Sequence, residues 1–186
     1  MGKLVVTEFV TLDGVMEDPG GAEGFDRGGW AFGFDRGEEG DRFKLDELLA
    51  ADAQLLGRLT YEGFAAAWPE RSGEFADLMN GMPKFVVSRS LDEAEWANTT
   101  VMRGDLAEEV GALKARFERD ILVAGSARLV RGLLAADLVD ELHLMVFPVM
   151  LGAGKPLFAD GGQLPFELVE TKQTGSVAIL VLRRHR

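Results

Sequence analysis

The sequence predicts an α/β protein built on a mixed, mostly parallel sheet with helices on both faces. Strand-like and helix-like segments alternate as far as residue 147, which is the pattern of parallel strands joined by crossover helices. Beyond that point two apolar runs flank Thr174-Gly175-Ser176, and this arrangement predicts an antiparallel β-hairpin. The chain has 186 residues and no repeat or linker-like stretch, so we expect a single domain over residues 1–186.

Composition excludes several classes of function. The chain has no cysteine and two histidines, so disulfides, thiolate ligands and a Ser-His-Asp triad have almost no residues to draw on, and we predict no bound metal. A net charge of −11 argues against nucleic-acid binding, which needs a basic face. The sequence has neither a signal-peptide profile nor an apolar run of membrane-spanning length, so a cytoplasmic protein that does not associate with membranes is expected.

The first predicted strand, residues 3–11, is mostly apolar and is therefore expected in the middle of the sheet. A turn signal, Leu12-Asp13-Gly14, ends it. The following segment, to about residue 38, is long for a loop and rich in glycine and aromatic residues, as in functional or mobile segments. Its aromatic residues, which include Trp30 and Phe32, are expected to cover either a ligand or the edge of the core.

The middle of the chain predicts alternating helices and strands. Helices are predicted over residues 41–51, from 58 onward, over 72–80, over 105–117 and from about 126 to 134, and strands over residues 53–57, 84–87, 96–102, 121–123 and 139–147. Thr60 fits the N-cap of the second helix and Asp105 that of the fourth. Asp140 and Glu141 point to opposite faces of a strand, so we interpret them as structural residues rather than as a catalytic pair.

Three predicted strands end in short polar turns that suit phosphate groups. The turns are Gly57-Arg58-Leu59-Thr60, Ser88-Arg89-Ser90 and Ala124-Gly125-Ser126-Ala127. Because the carboxyl ends of parallel strands share one edge of a sheet, two arginines, four hydroxyls and two helix N-termini would meet there. Such a set fits a ligand with several phosphates, such as a dinucleotide. Each turn by itself also fits an ordinary strand-to-helix connection.

These turns belong to a wider set of segments that resembles the dihydrofolate reductase-like family, and more closely bacterial proteins similar to the C-terminal reductase domain of riboflavin biosynthesis. The matching segments run in family order and cover residues 11–14, 55–62, 84–89, 123–126, 138–142 and 148–158. The resemblance implies a dihydrofolate reductase-like fold, an NADPH site on one side of the sheet and a homodimer.

The resemblance also implies roles for individual residues. The implied cofactor-binding residues are Gly57, Arg58 and Thr60 for the pyrophosphate and 2′-phosphate, Ser88 and Arg89 for the adenosine phosphate, Ala124, Gly125, Ser126, Ala127 and Arg128 in the glycine-rich turn, and Leu12, Asp13 and Gly14 at the start of the loop over the nicotinamide. Dihydrofolate reductases carry a Gly-Gly pair where this chain has Ala124-Gly125.

The family's substrate carboxylate lies on the helix before the Gly-Arg turn, where Asp41 and Asp46 are both candidates here. Trp30 and Phe32 would line the substrate, with residues 12–38 as a lid. No surrounding motif supports folate itself as the substrate. We therefore expect an NADPH-dependent oxidoreductase that transfers a hydride to a small heterocyclic (pterin- or pyrimidine-like) or carbonyl substrate. A non-catalytic nucleotide-binding or interaction protein on the same fold is the alternative.

Assembly is the last expectation. The hairpin over residues 166–182 and the strand over residues 139–147 carry apolar residues on both faces, among them Met145, Phe147 and Leu180. An exposed apolar sheet edge is a liability in a monomer. We therefore predict a homodimer that buries part of this C-terminal sheet.

Overall fold

The computed structural model describes residues 1–158 and 162–185. The strands are β1 (Leu4–Thr11), β2 (Ala51–Gly57), β3 (Lys84–Val87), β4 (Thr99–Met102), β5 (Asp120–Val123), β6 (Glu141–Phe147), β7 (Phe166–Thr174) and β8 (Val177–Arg184). The helices are α1 (Gly37–Ala50), α2 (Arg58–Ala67), α3 (Glu74–Gly81), α4 (Leu106–Arg116) and α5 (Ala127–Ala135), with a short 3-10 helix at Trp30–Gly33. Among these residues, no helix is long and apolar enough to cross a bilayer.

The strands form one eight-stranded sheet in the order β4-β3-β2-β5-β1-β6-β8-β7. In sheet order, the six strands β4, β3, β2, β5, β1 and β6 run parallel to one another. Strand β8 pairs antiparallel with β6, and β7 pairs antiparallel with β8. The predicted mixed sheet and its terminal hairpin are therefore confirmed. The central position predicted for β1 is also confirmed, because this strand lies between β5 and β6 and is buried over nearly its whole length.

Helices cover the two faces of the sheet. Successive side chains of a strand point to opposite faces, so Val5 packs in one core with Leu48 of α1, while Val6 packs in another with Leu129 of α5. The first core also contains side chains of α2 and α3, and the second contains side chains of α4. The neighbouring strands β1 and β5 therefore send their connections to opposite faces. Such a switch point opens a crevice at the carboxyl ends of the two strands, where ligands of open α/β sheets bind.

The structure corrects one of the two predicted helix caps and confirms the other. Helix α2 follows Gly57 directly and has no side-chain cap, so the prediction that Thr60 caps it is wrong, and Thr60 lies inside the first turn. The cap predicted at Asp105 is confirmed, because its carboxylate accepts from the backbone N–H groups of Ala107 at 3.0 Å and Glu108 at 3.1 Å.

The C-terminal sheet is also less open than its sequence indicates. Strand β6 lies between β1 and β8 and is not an edge. Its side chains Met145 and Phe147 are 2% and 0% exposed because they pack inside the chain. Strand β7 is the edge on this side of the sheet, and its Leu168 and Val169 are 55% and 44% exposed.

Candidate functional site

The three phosphate-type turns lie side by side, as the sequence predicts. Strands β3, β2 and β5 are consecutive in the sheet, and Gly57 at the end of β2 pairs with Val87 at the end of β3. The backbone N–H of Gly57 donates to the carbonyl of Gly125 at 2.9 Å. The turn after β2 is therefore joined directly to the turn after β5.

Two glycines allow this close approach. A Cβ on Gly57 would lie 2.2 Å from Ser126 Oγ, so only glycine fits between the two turns. Gly125 has φ +105°, and a Cβ there would lie 2.6 Å from Thr60 Oγ1. The peptide bond between Gly125 and Ser126 is cis. A single glycine thus takes up the left-handed geometry of this turn, and Ala124 before it keeps a negative φ.

Helices α2 and α5 begin at these turns, with Gly57 and Ser126 as their N-cap residues. Among the described residues no side chain caps either helix. The first backbone N–H groups of a helix have no partner within the helix. Together with the helix dipole they attract anions, so two adjacent uncapped N-termini make this edge of the sheet suitable for phosphates.

The polar side chains predicted around these turns differ in their partners. Arg58 is exposed and pairs with Glu62 one helical turn later, at 2.9 Å. Ser88 Oγ accepts from the backbone N–H groups of Leu91 at 3.0 Å and Ser90 at 3.2 Å, so it stabilises its own turn. Arg89 and Arg128 are exposed.

Asp13 ties the start of the long loop to a distant segment. Its carboxylate accepts from Thr11 Oγ1 at 2.6 Å and from the N–H groups of Gly152 at 2.8 Å and Leu151 at 3.2 Å. These hydrogen bonds, that of Thr11 first, lower the pKa of Asp13 to about 2. Leu12 beside it is 63% exposed. Gly14 adopts φ +77°, which lets the chain turn back.

Trp30 and Phe32, both predicted at the substrate, lie in different environments. Trp30 is 7% exposed, stacks edge-on against Phe147 with ring centroids 5.3 Å apart, and donates from Nε1 to the carbonyl of Glu17 at 2.8 Å. Phe32 is 81% exposed. Trp30 therefore fastens the loop to the sheet, whereas Phe32 is the ring that remains available at the surface.

Asp41 and Asp46 both lie on the exposed side of α1. Asp41 pairs with Arg36 at 2.6 Å and Asp46 with Arg42 at 2.7 Å, and their side chains are 64% and 53% exposed. The structure does not bring either of them into a buried site. The buried carboxylate of this helix is instead Glu47, whose side chain is 4% exposed.

Glu47 is the centre of a polar cluster that the sequence analysis missed. Its Oε1 lies 2.8 Å from His143 Nδ1 on β6, and its Oε2 accepts from Thr7 Oγ1 on β1 at 2.9 Å. Lys44 Nζ lies 2.6 Å from the same Oε2 and also donates to Thr7 Oγ1. Burial acts to raise the pKa of Glu47, but the charge of Lys44 and the hydrogen bond from His143 outweigh it, so the pKa lies below its ordinary value.

Lys44 has the most exposed side chain of this cluster, at 17%. An ammonium group has three N–H donors, and Thr7 and Glu47 take two of those of Lys44. Its Nζ lies 5.4 Å from the ring centroid of Phe9, over which Arg36 also lies at 5.4 Å. The β1 end of the crevice thus offers a partly exposed aromatic ring and two cations.

The helical spacing of the α1 members of this cluster is a signal in the sequence that could have indicated it. Gly40, Lys44 and Glu47 follow one another at four and three positions along α1 and face the sheet. Leu49 of the same helix is 40% exposed, although it is apolar. The buried side of α1 therefore includes charged residues, because their partners are supplied by β1 and β6.

Two hollows of the described surface lie away from this edge of the sheet. One of about 420 Å³ is lined by residues at the start of β2 and before β3, including Asp52 and Pro83. Another, of about 230 Å³, lies between β4 and α4. Neither is at the carboxyl ends of β2, β5 and β1, where the uncapped helix N-termini and Lys44 lie, and the chemistry of that edge makes it the candidate site.

Comparison with solved structures shows the same fold. A putative riboflavin biosynthesis protein from Shewanella sp. PV-4 superposes with a TM-score of 0.80 at 21% identity and covers 99% of both chains. RibD from Acinetobacter baumannii gives 0.69 at 18% identity, covering 100% of this chain and 59% of that one. Dihydrofolate reductase from Enterococcus faecalis, complexed with NADP(H), gives 0.59 at 16% identity and covers 99% of this chain and 97% of that one.

Sequence comparison leads to the same group. Two uncharacterized proteins of Bacillus subtilis (strain 168) are similar over nearly their full lengths: YyaP, 29% identical over 97% of this chain and 93% of its own, and YwjB, 28% identical over 96% of this chain and 95% of its own. The model of the RibD C-terminal domain family matches residues 2–180. A match of that extent, on a sheet with dihydrofolate reductase-like order, shows that the chain belongs to the RibD C-terminal domain family.

Proposed function

We propose that this protein is an NADPH-dependent reductase that transfers a hydride to a small heterocyclic (pterin- or pyrimidine-like) or carbonyl substrate. The observation that carries the proposal is the pair of adjacent, uncapped helix N-termini at the carboxyl ends of β2 and β5, a short way along the sheet edge from the charged cluster on β1. The family of the chain and a solved relative complexed with NADP(H) support a reductase of this kind.

The residues at this edge fit the cofactor. The N–H groups at the start of α2 and α5 would hold the diphosphate, and Arg58, Arg89 and Arg128 would supply positive charge around the adenosine phosphates. Arg58 would have to exchange its carboxylate partner Glu62 for phosphate. When bound, NADPH supplies the hydride, and the protein has to provide orientation, a dry pocket and a proton.

The cluster around Lys44 would form the substrate half of the site. Phe9 offers a ring against which a planar substrate can stack, and the third N–H of Lys44 can donate to a carbonyl oxygen or ring nitrogen. As the neighbouring carbon accepts the hydride, the carbonyl oxygen or ring nitrogen gains electron density and takes up the proton. Glu47 and Thr7 hold the ammonium in place, so Lys44 replaces Asp41 and Asp46 as our candidate proton donor.

Two measurements test this proposal. NADPH should bind to the purified protein, and a panel of pterins, pyrimidinones and small carbonyl compounds should reveal oxidation of NADPH by its loss of absorbance. Lys44→Met should lower the turnover of any active substrate by about a hundredfold or more, the size of a general-acid contribution, while leaving NADPH affinity nearly unchanged.

The matched control is Lys172→Met, which removes an exposed lysine paired with Glu39 on the protein surface. It should leave turnover unchanged. Binding of NADPH without turnover of any compound in the panel would favour the alternative, a non-catalytic nucleotide-binding protein. Failure of the wild-type protein to bind NADPH would refute the proposed function.

A further inference from the structure

A carboxyl group on β1, that of Glu8, lies beside the cluster around Lys44 but is not hydrogen-bonded to it among the described residues. Glu8 is 7% exposed, and its Oε1 atom has no hydrogen-bond partner in the part of the chain that the structure describes. It faces the turn after β5, because a Cβ built on Gly125 would lie 3.7 Å from Glu8 Oε1 and 2.6 Å from Thr60 Oγ1. A carboxyl oxygen and a hydroxyl oxygen therefore border the same small space over Gly125.

The surroundings of Glu8 favour its uncharged form. An ionised carboxylate needs partners when it leaves water, and Glu8 Oε1 has none among the described residues. Burial raises the pKa of Glu8 well above its ordinary value, the charge of Lys44 opposes this shift, and the carboxylates of Glu23 and Glu47 add to it. In its uncharged form, Glu8 has an O–H group that can donate a hydrogen bond.

The groups around this space share one property, which is that they donate hydrogen bonds. They are the hydroxyl of Thr60, the carboxylic acid of Glu8 and the first N–H groups of α5, which begins at Ala127. A set made of donors selects an anion with several acceptor oxygens. At this edge of the sheet the ligand of that chemistry is the diphosphate of the dinucleotide.

We propose that Glu8, as a neutral carboxylic acid, donates a hydrogen bond to the diphosphate of NADPH at the Gly125 turn, so that the cofactor binds together with a proton. The inference rests on the function proposed above and adds a binding residue to it. When Glu8 is ionised, its negative charge faces the phosphates and the hydrogen bond is lost. Cofactor affinity should therefore fall as Glu8 loses its proton.

The test compares NADPH affinity across pH in the wild-type protein and in Glu8→Gln, which keeps a neutral donor of nearly the same shape. Between about pH 5.5 and about pH 8.5, the dissociation constant of the wild type should rise by up to about tenfold for each pH unit above the point at which Glu8 ionises. Glu8→Gln should bind NADPH at low pH within about threefold of the wild type and should not show this rise.

Other groups that titrate or carry charge near Glu8 are Lys44 and Glu47 on α1, Glu23 on the loop, and His143 acting through Glu47. They and the phosphates of NADPH are the same in both proteins, so the ratio of the two dissociation constants isolates Glu8. Glu141→Gln is the matched control, because Glu141 is equally buried but lies at the amino end of β6, where it pairs with Lys3 and Arg183 and lies 3.5 Å from His143. Its pH profile should follow that of the wild type.

Glu8→Gln should also unfold at a higher temperature than the wild type at alkaline pH, without any ligand. The native state retains the proton of Glu8 that the unfolded state releases, so wild-type stability falls as pH rises above the ordinary range of a glutamate. Where the variant does not fold, calorimetry of the wild type in two buffers of different ionisation enthalpy, repeated from about pH 5.5 to about pH 8.5, measures proton uptake on NADPH binding, and uptake is expected over the pH range in which the affinity falls.

Three results would overturn the inference while the proposed function stands. They are equal pH profiles of NADPH binding in wild type and Glu8→Gln, a loss of affinity in Glu8→Gln at low pH as large as in Glu8→Leu, or no proton uptake by the wild type. Failure of the wild type to bind NADPH at every pH would overturn both proposals. Binding at low pH thus tests the function, and its dependence on the proton of Glu8 tests the inference.

Discussion

Arg58 provides the sharpest test of the proposed phosphate edge, because NADPH carries a 2′-phosphate that NADH lacks. Arg58 follows the glycine that ends β2, and its side chain is 44% exposed and paired with Glu62 at 2.9 Å. We expect Arg58→Ala to weaken NADPH binding and to change NADH binding much less.

The magnitude follows from two opposing contributions. A hydrogen bond to a charged group contributes about 1.5–3 kcal/mol, and the surface pair with Glu62 that must be given up is worth about 0.3–0.5 kcal/mol. The difference, about 1–2.5 kcal/mol, corresponds to a loss of roughly five- to seventyfold in NADPH affinity. Glu62→Gln removes the competing carboxylate and should strengthen NADPH binding by about twofold.

The assay is a titration of wild type, Arg58→Ala, Glu62→Gln and a control with each cofactor. Arg42→Ala is a close control, because Arg42 forms the same kind of exposed pair one helical turn apart, with Asp46 at 2.7 Å on α1. It should leave both affinities unchanged. Arg89 can share the phosphate, so the double variant with Arg89→Ala should lose more than either single variant. Unchanged NADPH affinity in the double variant, or equal losses for NADPH and NADH, would refute the assignment.

Three further predictions concern the loop, the assembly and the core. NADPH should protect residues 12–38 from hydrogen exchange more than residues 105–117, since we propose that this loop closes over the ligand; equal protection would argue against a lid. The protein should form a homodimer through the side of the sheet that ends in β7, whose edge exposes apolar side chains; a monomer mass by light scattering at micromolar concentration would contradict this. Lys84→Met should lower the free energy of unfolding by about 2–4 kcal/mol, because the buried Lys84 Nζ donates to three carbonyls at the end of α3. Urea denaturation measures this loss, and a change as small as that of the exposed control Lys172→Met would show that these bonds add little.

The sequence by itself determined the parts of this protein that depend on neighbouring residues. Apolar runs, glycine turns and the Asp105 cap are local signals, so the alternation of strands and helices, the mixed sheet and the terminal hairpin were predicted correctly. The meeting of the turns at Gly57, Ser88 and Gly125 was also predictable, because parallel strands share one carboxyl edge.

Only the tertiary structure decided which charged residues belong to the site. Asp41, Asp46 and Glu47 lie on one helix and are chemically similar in sequence, yet Glu47 alone among them is buried, because Thr7 on β1 and His143 on β6 supply its hydrogen bonds. His143 is 96 positions from Glu47 along the chain. The burial of Glu8 beneath the Gly125 turn has the same origin. A carboxylate's environment is set by strands that are distant in sequence and adjacent in the sheet, and that environment decides whether it is an exposed ion or a buried functional group.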